Sequence, residues 1–193
     1  MGDKEIKIRT ATGADAPRLL EIYAYYVLNT AVSFEYAPPS VQEFESRILN
    51  TLNFYPYLVA EREGEILGYA YAGAFRQREA YSWNAETTVY LKATARGLGL
   101  GKMLYTALEE ILKAQGMVKL IAAITEPVDS SADYNSLRFH TAMGFVPVGR
   151  FEHCGQKFGK WYTTLFMAKL IAEPVSAMTK PKSFQHVRAV FGL

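Results

Sequence analysis

The chain has 193 residues, half of them hydrophobic and about a fifth charged, with a formal net charge of +2. That length suits one domain with a substantial core, and the composition excludes global disorder. The small net charge and the lack of a long Lys/Arg run argue against a nucleic-acid partner. A lone cysteine, Cys154, excludes an intramolecular disulfide framework. The opening Met1 to Glu5 is polar where a signal peptide is apolar, and no apolar run approaches the roughly 20 residues of a membrane span. A cytoplasmic protein with no membrane partner is expected.

Ile6 and Ile8 alternate with polar neighbours from Glu5 to Arg9, which predicts a first strand. Asp15 and Pro17 suit the start of a helix that carries Leu19, Leu20, Tyr23, Tyr26 and Val27 and ends near Asn29. After a loop from Ala31 to Pro39, Ser40-Val41-Gln42-Glu43 has the capping-box form and Phe44, Ile48 and Leu52 make one stripe behind it. Tyr57 to Glu61 and Ile66 to Phe75 read as a hairpin around Glu63-Gly64, and Tyr81 to Leu91 as the next strand of an antiparallel meander. An amphipathic helix follows, with Met103, Leu104, Ala107, Leu108, Ile111 and Leu112 on its apolar face and Gly116 at its end. Val118 to Thr125 is a strand, Ser136 to Met143 a short helix, and Phe145 to Phe151 with Trp161 to Lys169 a last hairpin whose connection contains Gly155 and Gly159. Prolines break any periodicity beyond Ala172, so the expected organisation is one domain over 5–171 and an appended extension over 172–193.

Between the meander and its helix lies Arg96-Gly97-Leu98-Gly99-Leu100-Gly101. A strand, a glycine turn and a helix bring backbone N–H groups together where no side chain blocks approach, and the helix dipole adds positive potential. Such a loop suits a pyrophosphate, with Arg96 and Lys102 adding charge at its rim. It is not a Walker A loop, which needs Gly at position 96 and Ser or Thr at 103. It is not the dinucleotide fingerprint either, because the glycines run G-x-G-x-G and the preceding strands make a meander.

Arg96, Gly99 and Gly101 match the Arg/Gln-x-x-Gly-x-Gly/Ala signature, and the chain resembles the GNAT N-acetyltransferase superfamily. Tyr69-Ala70-Tyr71-Ala72-Gly73, Ala80-Tyr81-Ser82-Trp83, Ala85 to Leu91 and Lys157-Phe158-Gly159-Lys160-Trp161 narrow the resemblance to the phosphinothricin N-acetyltransferase family. It implies a mixed α/β acyl-CoA N-acyltransferase fold, with a mostly antiparallel central sheet flanked by helices. The implied reaction moves acetyl from acetyl-CoA to the α-amino group of a small amino acid or analogue, of the phosphinothricin, methionine sulfoximine or methionine sulfone type. Another amine acceptor (a polyamine, an aminoglycoside or a protein N-terminus) and a non-catalytic acyl-CoA-binding protein are the alternatives.

By the same resemblance, Val89, Tyr90 and Leu91 lend backbone groups to the pantetheine arm, and Gly97, Leu98, Gly99, Leu100, Gly101 and Lys102 take the pyrophosphate with Arg96. Asp133 or Asn135 replaces the family asparagine that bonds the pantetheine. Glu86 is the implied general base and His140 a second catalytic group near the thioester sulfur. Arg76 and Arg78 face the acceptor as paired guanidiniums, with Phe34, Tyr81 and Trp83 as apolar walls. The Gly155 to Trp161 segment implies a homodimer. His153 and Cys154 make no metal set, and no metal is expected.

Overall fold

A computed structural model describes residues 5–95, 97–126 and 135–193. In chain order the elements are β1 (Lys7–Thr10), α1 (Ala16–Asn29), α2 (Val41–Leu52), β2 (Tyr57–Arg62), β3 (Glu65–Ala74), β4 (Asn84–Leu91), α3 (Leu100–Gln115), β5 (Lys119–Thr125), α4 (Asn135–Ala142), β6 (Val146–Lys157), β7 (Lys160–Leu170) and α5 (Phe184–Val187). The strands form one seven-stranded sheet in the order β1-β2-β3-β4-β5-β7-β6. Every pairing is antiparallel except β4 with β5, so the mixed α/β expectation holds.

Alternation along the strands divides the core between two layers. Leu58, Ala60, Ala70, Ala72, Ala85, Leu120 and Ala122 pack with Leu104, Leu108, Ile111 and Leu112 of α3. Tyr57, Val59, Tyr69 and Tyr90 pack on the other face with Leu19, Tyr23 and Val27 of α1 and Phe44 and Ile48 of α2. The start of α1 is fixed by Asp15, which accepts two guanidinium N–H bonds from Arg9, at 2.8 and 2.9 Å, and the Thr12 amide at 2.8 Å. Burial raises the Asp15 pKa, but these bonds outweigh it and hold it at about 2. Ser40 caps α2 as its sequence requires, its Oγ accepting from the Glu43 amide at 3.1 Å.

Three sequence expectations shift. β4 starts at Asn84, because Glu79–Tyr81 winds into a 3-10 turn. Met103 faces outward at 38% exposure although its spacing fits the apolar stripe of α3. The last hairpin is longer than its sequence pattern, since β6 passes through Gly155 by way of a bulge at 151–155 with His153 at φ 48°. The turn is then only Phe158-Gly159.

The segment beyond 171 is anchored to the core around Lys182 and Phe184. Lys182 N–H donates to the Gln115 carbonyl at 2.7 Å, and the Gln115 side-chain amide donates back to the Lys182 carbonyl at 2.8 Å and to that of Phe54 at 2.9 Å. Phe184 is fully buried and Val187 nearly so, both within the α3 layer. Replacing a buried phenylalanine with alanine typically costs about 3–5 kcal/mol. Phe184→Ala is therefore expected to lower the urea midpoint by a corresponding amount, and an unchanged midpoint would show that the anchor contributes nothing.

Candidate active site

β4 and β5 pair in parallel only from Asn84 to Glu86 against Lys119 to Ile121. Each strand continues, β4 along β3 as far as Leu91 and β5 along β7 as far as Thr125. The two strands therefore part beyond Glu86 and leave a fork. Thr87 lies at its base, where its hydroxyl donates to the Ile121 carbonyl at 3.3 Å.

Strand alternation decides which peptide groups look into the fork. Lys92 N–H donates to the Leu67 carbonyl at 2.8 Å, so the peptides of Tyr90, Thr88 and Glu86 are those shared with β3. Those of Val89 and Leu91 point the other way. Leu91 is already engaged, since the Tyr26 hydroxyl donates to its carbonyl at 2.7 Å and accepts from its N–H at 3.4 Å. Val89 remains directed at the fork, while Tyr90 commits its peptide to β3 and its ring to the α1 and α2 layer.

The glycine loop stands at the N-terminus of the 16-residue α3. Gly97 and Gly99 have φ of +82° and +73°, a region that disfavours side chains, and a Cβ on either would meet nothing within 4 Å. Gly101 serves packing, since a Cβ there would fall 3.0 Å from the Phe139 ring of α4. Leu100 is buried, whereas Leu98 and Lys102 are exposed. Arg96, Asp133 and the side chain of Asn135 lie outside the described residues.

Glu86 is half-buried on the face that carries Tyr71, Thr88 and Tyr90. Burial pushes its carboxyl above the usual range, and the charge of Arg76 partly opposes that shift. Arg76 lies 4.4 Å over the Phe75 ring and donates to the Phe75 carbonyl at 3.1 Å. Tyr81 meets the same ring edge-on at 5.9 Å. Arg78 is exposed at the start of the 3-10 turn, its carbonyl accepting from the Tyr81 amide at 2.9 Å. Trp83 is turned toward the C-terminal segment, its indole N–H donating to the Thr179 carbonyl at 2.9 Å. Phe34 packs against the β6 and β7 hairpin, 6.2 Å from the Tyr162 ring and so close to Gly155 that a Cβ there would lie 2.3 Å from it.

His140 is 5% exposed. Its Nδ1–H donates to the Ser136 carbonyl at 2.8 Å, which leaves Nε2 to accept the Tyr105 hydroxyl at 3.0 Å. Burial pushes its pKa down against the effect of that carbonyl, so the ring is neutral at pH 7.

Sequence reasoning missed several of these groups. Tyr57 stacks on Tyr71 at 4.8 Å and on Tyr69 at 5.6 Å, and Tyr69 meets Tyr90 at 5.4 Å. Tyrosine at the alternate positions 69 and 71 of β3 is the signal that announces this layer. Tyr105, the partner of His140, carries no such signal, because 35 residues separate the pair in the chain. Lys157 is 1% exposed and donates to the carbonyls of Val27, Thr30 and Ser33 at 2.6, 2.8 and 2.6 Å, tying the loop before Phe34 to the hairpin.

Residues 8–166 match the acetyltransferase (GNAT) domain family. A phosphinothricin N-acetyltransferase of Streptomyces viridochromogenes is 37% identical over 163 residues, which cover 84% of this chain and 86% of that protein. An L-methionine sulfoximine/L-methionine sulfone acetyltransferase of Pseudomonas aeruginosa is 37% identical over 165 residues, covering 83% and 91%. A crystal structure of a GNAT superfamily phosphinothricin acetyltransferase from Sinorhizobium meliloti in complex with AcCoA is 35% identical, with a TM-score of 0.81 over 93% of this chain and 98% of that one. The chain belongs to the GNAT acetyltransferase family and is an acetyltransferase. Among the described residues, no helix is long and apolar enough to cross a membrane and no group of three or more His, Cys, Asp or Glu is placed to hold a metal.

Removing the Tyr105 hydroxyl leaves the buried Nε2 of His140 without its donor, at a typical cost of about 1–3 kcal/mol. Tyr105→Phe is expected to lower the thermal midpoint accordingly, and an unchanged melt would mean that water replaces the hydroxyl.

Proposed function

We propose that the protein acetylates the α-amino group of a small amino acid or analogue, of the phosphinothricin, methionine sulfoximine or methionine sulfone type, with Glu86 as general base. The observation that carries this reading is the position of Glu86 in the last residue pair before β4 and β5 part. There it adjoins the gap through which the thioester must be reached. The activities named for the relatives from Streptomyces viridochromogenes and Pseudomonas aeruginosa support the acceptor class.

In this reading Gly97 to Gly101 and Lys102 take the pyrophosphate with Arg96, and the pantetheine arm runs into the fork along Val89, with Asp133 or Asn135 as a further contact. The acceptor nitrogen attacks the thioester carbonyl, so the C–N bond forms and the C–S bond breaks. Its proton passes to Glu86, directly or through water, and the thiolate leaves as coenzyme A thiol once it has taken up a proton. The Val89 N–H is the natural donor to the carbonyl oxygen as negative charge develops. His140, held neutral, serves by fixing Tyr105 beneath the fork. Arg76 supplies charge for an acidic group of the acceptor, with Arg78 beside it in sequence and Phe75 and Tyr81 as apolar wall. A guanidinium at this place disfavours a cationic polyamine or aminoglycoside.

We propose further that 5–171 is the catalytic domain and 172–193 an extension packed on it. A sequence with Cys154 as its one cysteine, and so no disulfide framework, supports a cytoplasmic setting. Val146, Val148 and Phe151, exposed along the edge strand β6, support a homodimer.

General-base catalysis contributes about 100- to 10,000-fold. Glu86→Gln is expected to reduce kcat by at least about a hundredfold while acetyl-CoA affinity stays within twofold. The wild-type rate rises with pH as Glu86 loses its proton, above the usual carboxylate range. That limb disappears in the variant, and a variant that keeps it removes Glu86 from the role. Gly99→Val forces a β-branched residue to positive φ, so acetyl-CoA affinity by calorimetry is expected to fall at least about tenfold; affinity equal to wild type would take the pyrophosphate elsewhere.

A further inference from the structure

β3 contains two interior glycines, and the structure gives them opposite surroundings. A Cβ on Gly68 would fall 2.5 Å from the Leu91 side chain and 2.9 Å from the Tyr90 carbonyl, so only glycine lets β4 approach at that point. A Cβ on Gly73 would meet nothing within 4 Å, and Gly73 is absent from the positive-φ residues. Neither packing nor backbone conformation therefore asks for glycine at 73. Glycine inside a strand weakens it, and where neither reason applies it commonly marks a site of close approach by a ligand.

The open space has a definite address. Gly73 is the cross-strand partner of Glu86, and directly opposed residues project from the same side of the sheet. On β2 the pairing starts at Tyr57 opposite Tyr71, so the register runs out before it reaches Gly73. Two residues further on, Phe75 lies between the Arg76 guanidinium and the Tyr81 ring. Two residues back, Tyr71 pairs with Thr88. The open side of Gly73 is thus flanked along the strands by Glu86, by Phe75 with the Arg76 guanidinium and the Tyr81 ring, and by Tyr71.

We propose that the acceptor's Cα and its substituents sit over Gly73, which makes residue 73 the position that sets how much bulk the enzyme accepts next to the reacting amine. The proposal rests on the assignment of Glu86 as the base. It deepens that assignment by naming a steric filter: a primary amine on a carbon of limited bulk passes, and branching beside that carbon is excluded by any side chain at 73.

Gly73→Ala tests it without a folding penalty, since the added Cβ meets no neighbour, and Gly73→Val adds bulk with a residue that favours strands. A panel of amines is run first with the wild-type enzyme, and the best substrate is carried forward whatever its class. One methyl group in a fitted pocket changes kcat/KM by roughly 10- to 200-fold. For the best amine, kcat/KM is expected to fall about tenfold in Gly73→Ala and further in Gly73→Val, and to fall most for acceptors branched next to the reacting carbon. Acetyl-CoA affinity by calorimetry is expected to stay within twofold and the thermal midpoint not to fall. Gly73→Val with wild-type kcat/KM overturns the proposal, as does a loss matched by weaker acetyl-CoA binding. If the best amine is not an α-amino acid, the acceptor class under the proposed function is wrong, while the comparison at residue 73 still decides the filter.

Discussion

β4 and β5 are held together by three parallel residue pairs and then separate, although each keeps its bonds to the strand on its other side. Peptide groups freed within a sheet need partners, because an unpaired N–H or C=O is costly when buried. At Leu91 the protein supplies one itself, through the Tyr26 hydroxyl reaching in from α1. At Val89 the peptide is turned toward the gap. Among the described residues no strand pairs with this edge of β4 beyond Glu86, and an extended amide-bearing arm is the chemical complement of such an edge. Beyond this fork β4 leads through a 3-10 turn into the glycine loop and α3.

The two faces of the sheet at this point are chemically different. On the α3 side small alanines of β3 and β4 let the helix lie close, and Tyr105 and His140 form a closed hydrogen-bonded pair with no charge. On the α1 and α2 side, stacked tyrosines fill the same depth and withdraw solvent from the Glu86 carboxyl. A carboxylate in water is a weak base; the same group with fewer waters around it holds a proton more readily. The tyrosine layer therefore has a chemical consequence beyond packing. The buried Lys157 contributes from a distance, since its three carbonyl partners hold the segment that presents Phe34 to the hairpin.

The C-terminal segment shows how a stretch without periodicity joins a core. Its anchors are single groups: the Gln115 amide between two carbonyls, and the Phe184 ring among the side chains of the α3 layer. Lys180 pairs with Glu79, and Thr179 accepts from Trp83, so the same segment touches the turn that carries Tyr81. Salt bridges as exposed as the first contribute little, whereas burial of Phe184 contributes much.

The sequence by itself determined the order of elements, the cap of α2, the glycine loop and the family. These are local or periodic properties: a hydrophobic repeat, a serine three residues before a glutamate, or glycines at fixed spacing act within one turn or strand. It also marked Glu86, Arg76 and Tyr81 through motifs that surround them. What only the tertiary structure decided are relations between segments far apart in the chain. Pairing of β4 with β5 stops after three residues, while β5 stays paired with β7 along its whole length. Tyr105 meets His140 because α3 and α4 pack together at Gly101. Phe184 enters the core because Gln115 offers it an entry. The glycine loop that first drew attention was legible because its need is conformational and local, whereas the fork depends on where two neighbouring strands part while each stays bonded to the strand on its other side.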